Sequence, residues 1–164
     1  MKTLLLLRHA KSSWKDSDLD DHDRPLNKRG KNDAPKMGRL LREEEMLPDL
    51  VIASSAKRCR KTAEHVIHSS GYRGETRIHG ELYEAGAEKL RQFLANLDDS
   101  IGCVLLIAHN PGMEEFLEPL AGAYTPLSTA ALAHVELPID SWRDLTADSR
   151  GALIKLWQPR ELED

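Results

Sequence analysis

Leu4-Leu5-Leu6-Leu7-Arg8-His9-Ala10 is the stretch from which the fold can be read. Four consecutive leucines bounded by polar residues predict a short strand covered on both faces, because a strand with one wet face would alternate. A covered strand of that kind belongs to an α/β sheet, and ligands there bind beyond the carboxyl ends of the strands. Arg8 and His9 occupy that end. An imidazole suits nucleophilic attack or proton transfer near neutral pH, and a guanidinium forks onto phosphoryl or carboxylate oxygens.

The rest of the chain repeats the pattern. Asp49 to Ala53 reads as a second buried strand ending in Ser54-Ser55, Thr76 to His79 as a weaker third, and Cys103 to Ala108 as the clearest, ending in His109. Between them Ala34, Met37, Leu40 and Leu41 recur at helical spacing, as do Cys59, Ala63, Val66 and Ile67, then Leu90, Phe93, Leu94 and Leu97. Asn27 or Asp33 is placed to cap the first helix, and Pro35 must lie in its first turn or bend it. Pro111 opens a fourth helix facing inward through Met113, Phe116, Leu117 and Leu120, and the remainder reads as strand. Strands alternating with helices predict an α/β fold, a three-layer αβα sandwich around a mostly parallel sheet. Right-handed crossovers then bring Arg8-His9, Ser54 to Arg58, Glu84 and His109 to one rim.

The 164 residues suit a single domain, residues 1–164. A net charge of −4 argues against nucleic acid as main partner. The leucine run is too short for a signal peptide or a membrane span. Two cysteines make no disulfide framework, so a cytoplasmic location with reduced thiols is expected. Residues 16–23 carry five aspartates and His22; lacking the ligand spacing of a metal site, they read as a solvated acidic loop.

Two histidines, two arginines and a carboxylate make a site for a dianion, one that needs no metal or other cofactor to offset phosphoryl charge. No glycine-rich nucleotide loop, Cys-x-x-Cys or His-Glu-x-x-His is present. The residue six after Cys59 is His65 and after Cys103 is His109, where a cysteine phosphatase needs arginine.

LLLLRHAKSSW (Leu4 to Trp14), RPLNKRG (Arg24 to Gly30), SSAKRCRKTAE (Ser54 to Glu64), LYEAG (Leu82 to Gly86) and AHNPGMEEF (Ala108 to Phe116) occur in that order. As an ordered set they resemble the histidine phosphatase superfamily, the group that includes cofactor-dependent phosphoglycerate mutase, and more narrowly its SixA-type phosphohistidine phosphatases. The resemblance implies a phosphoglycerate mutase-like fold and a phosphatase with a phosphohistidine intermediate. It implies His9 as nucleophile, Arg8, Arg58 and His109 as the phosphate pocket, Asn110 lending its backbone N–H, and Glu84 as proton donor. His109 thus counts as both catalytic and phosphate-binding. The expected partner is a protein bearing phosphohistidine, such as a histidine phosphotransfer domain, with no nucleic acid and no membrane. Glu84 keeps small phosphoesters open as substrates, because an alkoxide leaving group needs an acid more than imidazole does. A non-catalytic phosphate-binding module is the third reading. One departure is Ala10, where the family motif carries glycine.

Overall fold

A computed structural model of the chain describes residues 1–162. The elements run β1 (Lys2–Arg8), α1 (Lys28–Glu43), β2 (Leu50–Ser54), α2 (Lys57–Ser70), β3 (Glu75–His79), α3 (Ala87–Ala95), β4 (Cys103–Ala108), α4 (Gly112–Ala121), β5 (Leu132–Leu137) and β6 (Ala152–Trp157). The six strands form one mixed sheet in the order β3-β2-β4-β1-β5-β6. The first four strands are mutually parallel, and β5 pairs antiparallel with both β1 and β6.

The leucine run explains the layers. Successive strand residues point to opposite faces, so Leu4 and Leu6 enter one core with Leu90 and Leu94 of α3 and Phe116 and Leu117 of α4. Leu5 and Leu7 enter the other, with Met37 and Leu41 of α1 and Ala63 and Val66 of α2. All four leucines are fully buried. The fold is the αβα sandwich expected. Asn27 rather than Asp33 caps α1, its side chain accepting from the Gly30 N–H at 2.9 Å. Pro35 lies in the helix interior, not its first turn. No helix among the described residues is long and apolar enough to cross a membrane.

Register fixes the site before any side chain is considered. Arg8 pairs with Ala108 across the β1–β4 ladder, so His9 and His109 leave the sheet side by side. Ala53 pairs with Ile107, which brings Ser54 to the same edge.

Candidate active site

His9 is 7 % exposed, and its imidazole is pinned by the next residue in the chain. Nδ1 lies 2.8 Å from the Ala10 carbonyl oxygen. A carbonyl can only accept, so Nδ1 carries the ring proton and Nε2 keeps its lone pair. Burial pushes the His9 pKa down to about 3, with the charges of His109, Arg58 and Arg8 adding to the effect. The ring is therefore neutral and nucleophilic at physiological pH. The Ala10 N–H donates to Thr62 Oγ1 at 3.0 Å, and the Thr62 hydroxyl donates to the Arg58 carbonyl at 2.7 Å. Ala10 is fully buried in this arrangement, so the methyl that replaces glycine is packed.

His109 faces His9 with ring centroids 5.3 Å apart. Its Nε2 is 2.8 Å from Ser54 Oγ, and its Nδ1 is 3.4 Å from Arg58 Nη2. Burial and the Arg58 charge push its pKa down to about 4. Arg8 donates through Nη1 to the Leu127 carbonyl at 2.9 Å, while its buried Nε has no partner. An unpaired buried guanidinium N–H is costly, and Arg8 as a residue lines a cleft able to hold an anion. Asn110 Nδ2 donates to the same Leu127 oxygen, also at 2.9 Å.

Arg58 is fixed from the acidic loop between β1 and α1. Its Nη1 and Nη2 donate to the backbone oxygen and Oδ2 of Asp21 at 2.8 and 2.9 Å. Tyr83 Oη donates to Asp21 Oδ2 at 2.5 Å, and Arg24 Nη1 to Oδ1 at 2.8 Å. The Tyr83 hydroxyl, then Arg24 and Arg58, hold the Asp21 carboxyl well below the usual carboxylate range against the opposing effect of desolvation. The expectation of a solvated loop is thus corrected at two positions. Asp21 is an anchor for the cleft, and half-buried His22 reaches Ser55 Oγ at 2.8 Å with its ring edge against Tyr83. Asp16, Asp18, Asp20 and Asp23 are exposed as expected.

Glu84 is exposed and held at φ 57°, a left-handed conformation that costs energy for a residue with a side chain. Its loop is seated by contact with the start of α4. A Cβ on Gly112 would lie 2.0 Å from the Ala85 carbonyl oxygen, so only glycine permits this approach.

Arg8, His9, Arg58, Glu84, His109 and Asn110, all predicted from sequence, line one cleft of about 510 Å³. Asp21, Arg24 and Trp14 line it too and are site residues that sequence reasoning misses. Arg24 and Trp14 fall inside the ordered motifs, so a signal exists for them; nothing in periodicity marks Asp21. The Arg24 guanidinium stacks 3.2 Å from the ring centre of Trp14, which is 74 % exposed. The Arg24 guanidinium also bonds Ser12 Oγ. Among the described residues no group of three or more His, Cys, Asp or Glu side chains is arranged to hold a metal ion.

Such a cleft can place a neutral imidazole nitrogen against phosphorus while guanidinium groups take the equatorial oxygens. Known proteins resemble the chain as a whole. The sequence profile of the Histidine phosphatase superfamily (branch 1) matches residues 4–96. An uncharacterised chloroplastic protein of Arabidopsis thaliana is 34% identical over 155 residues, 89% of this chain and 71% of its own. The structure of a candidate phosphohistidine phosphatase SixA from Agrobacterium tumefaciens superposes with a TM-score of 0.83 at 27% identity, covering 96% of this chain and 98% of that one. A protein histidine phosphatase SixA complexed with tungstate shares the fold, with a TM-score of 0.84 at 20% identity over 98% and 99% of the two chains.

Proposed function

The chain belongs to the histidine phosphatase superfamily, and on that premise we propose that it removes phosphate from phosphohistidine on a signalling or phosphotransfer protein, through a covalent intermediate on His9 and without a metal. The observation that carries this reading is the state of His9. Its proton is held at Nδ1 by Ala10, burial keeps it neutral, and Nε2 is left for attack.

The reaction has two steps. The Nε2 lone pair attacks phosphorus; the new N–P bond forms as the bond to the substrate imidazole breaks, and that ring, already protonated on its other nitrogen, leaves as neutral imidazole. Water then attacks phosphorus, the bond to His9 Nε2 breaks, inorganic phosphate departs with the protons of the water, and His9 is restored as the neutral ring protonated at Nδ1. Arg8 and Arg58, which line the cleft, stabilise the equatorial oxygens as charge spreads over them. His109 stands across from His9; a bound dianion opposes the burial that keeps its ring neutral, so it can take a proton and donate to phosphate. Arg8 and Asn110 are steadied by sharing the Leu127 carbonyl.

A second reading rests on Glu84, an exposed carboxylate at the cleft in a strained backbone conformation. It is placed to protonate an alkoxide, which favours small phosphoesters. The two readings separate when a phosphorylated histidine phosphotransfer domain and a panel of aryl and sugar phosphates are compared on wild type and Glu84→Gln. The first reading predicts a higher kcat/KM on the protein, kept in Glu84→Gln. A preference for esters that disappears in Glu84→Gln would establish the second.

A further inference from the structure

The chain carries a net charge of −4, yet exposed Lys11, Lys15, Lys28, Arg29 and Lys31 gather beside the cleft. Backbone contacts hold them together. The Asn27 N–H donates to the Lys11 carbonyl at 3.0 Å, and the Ser13 N–H to the Pro25 carbonyl at 2.8 Å. A Cβ on Gly30 would meet the Lys11 carbonyl oxygen at 2.1 Å, so the segment after His9 lies directly on the first turn of α1.

Local stability does not account for this charge. The positive end of a helix dipole disfavours cations, and α3 and α4 obey the rule with Glu88 and with Glu114 and Glu115 in their first turns. In α1 the first turn has no acid and begins Lys28-Arg29. The other helix without one is α2, whose first turn supplies Arg58 to the cleft. Among the described residues, Lys11, Lys15, Lys28 and Lys31 form no ion pair, and Arg29 meets only Asp33 at 3.4 Å. A hollow of about 540 Å³ lined by Lys15, Lys28, Arg29 and Lys31 contains no carboxylate in its wall. Lys11 and exposed Trp14 line the catalytic cleft itself, so the basic strip and the cleft are continuous. An exposed tryptophan bordering a row of exposed cations offers an aromatic anchor beside charge complementary to an acidic protein face.

We propose that this strip, from Lys11 and Lys15 along Lys28, Arg29 and Lys31, docks the acidic face of a protein substrate and delivers its phosphorylated side chain past Trp14 to His9. The proposal rests on the phosphohistidine reading for the group delivered, and on charge and continuity for where the protein sits. Complementary charge raises encounter rates and fixes register, and it is screened by salt.

The test uses an acidic histidine phosphotransfer domain, fluorescently labelled and unphosphorylated, in anisotropy titrations against wild type, Lys28→Glu/Lys31→Glu and Lys28→Arg/Lys31→Arg. The expected result is about tenfold weaker binding by the glutamate variant and a flatter salt dependence, with the arginine variant like wild type. Turnover of phosphoramidate, a small substrate that needs no docking, is expected to be equal in all three. Equal binding by the glutamate variant overturns the proposal, as does tighter, equally charge-sensitive binding of an RNA oligonucleotide or of phosphatidylserine vesicles. Absence of turnover on phosphoramidate and on the phosphorylated domain would instead remove the catalytic reading, and the anisotropy result stands apart from it.

Discussion

Acid should destabilise this protein through the two histidines that face each other. In the folded chain burial holds His9 at about 3 and His109 at about 4, whereas an unfolded histidine titrates near 6.5. Both folded values are lowered, so as pH falls below about 6.5 the unfolded chain takes up protons that the folded chain refuses, and stability drops until the folded rings titrate. Between pH 7.5 and pH 5 each ring accounts for about 2 kcal/mol of lost stability, because both folded values lie below 5 and the unfolded rings are almost fully charged there. Carboxylates add their own pH dependence, so the informative quantity is a difference between proteins. Urea unfolding of wild type and His9→Asn at the two pH values should show the variant losing about 2 kcal/mol less on acidification. Equal losses in the two proteins would refute the claim that His9 is buried as a neutral ring.

Three further outcomes are expected from the same contacts. Thr62→Val leaves the buried Ala10 N–H without its acceptor, so it should cost about 1–3 kcal/mol in urea unfolding and lower kcat by loosening the segment that orients His9; unchanged stability would mean the bond carries little. Gly112→Ala places a methyl against the Ala85 carbonyl, and the Glu84 loop should shift, seen as a lower Tm and a displaced loop in a crystal structure; an undisturbed loop would count against the tight seat. Treatment with a chelator should leave turnover unchanged, and strict dependence on an added metal would contradict phosphate binding by the arginines alone.

Strand-end positions make most of the site legible. His9 and His109 terminate the two most apolar runs, and in a parallel sheet those runs must end on one rim, so their meeting is a consequence of pattern and handedness. Arg58 is legible because it opens a helix directly after a strand. Asp21 is not, since its partners Arg24, Arg58 and Tyr83 come from three separate segments and an aspartate among aspartates has no periodic signature. Tyr83 sits beside Glu84 in a motif, yet its hydrogen bond depends on a loop whose path the sequence does not encode locally. The interior position of Pro35 reflects where Asn27 sets the start of α1, a choice that two competing caps leave open in the sequence. Thr62 is hidden for a different reason: on a buried helix face a threonine reads as packing, and its role emerges only once the chain beyond His9 lies against it.

The proposed chemistry depends on phosphorus becoming bonded to one nitrogen. Wild type should be mixed with radiolabelled phosphoramidate, quenched within a turnover in alkali, digested and mapped by mass spectrometry. Label that is stable in base, labile in acid and confined to the peptide containing His9, and absent from His9→Ala, is the predicted result. Turnover by His9→Ala at the wild-type rate, or label on any other residue, would contradict it.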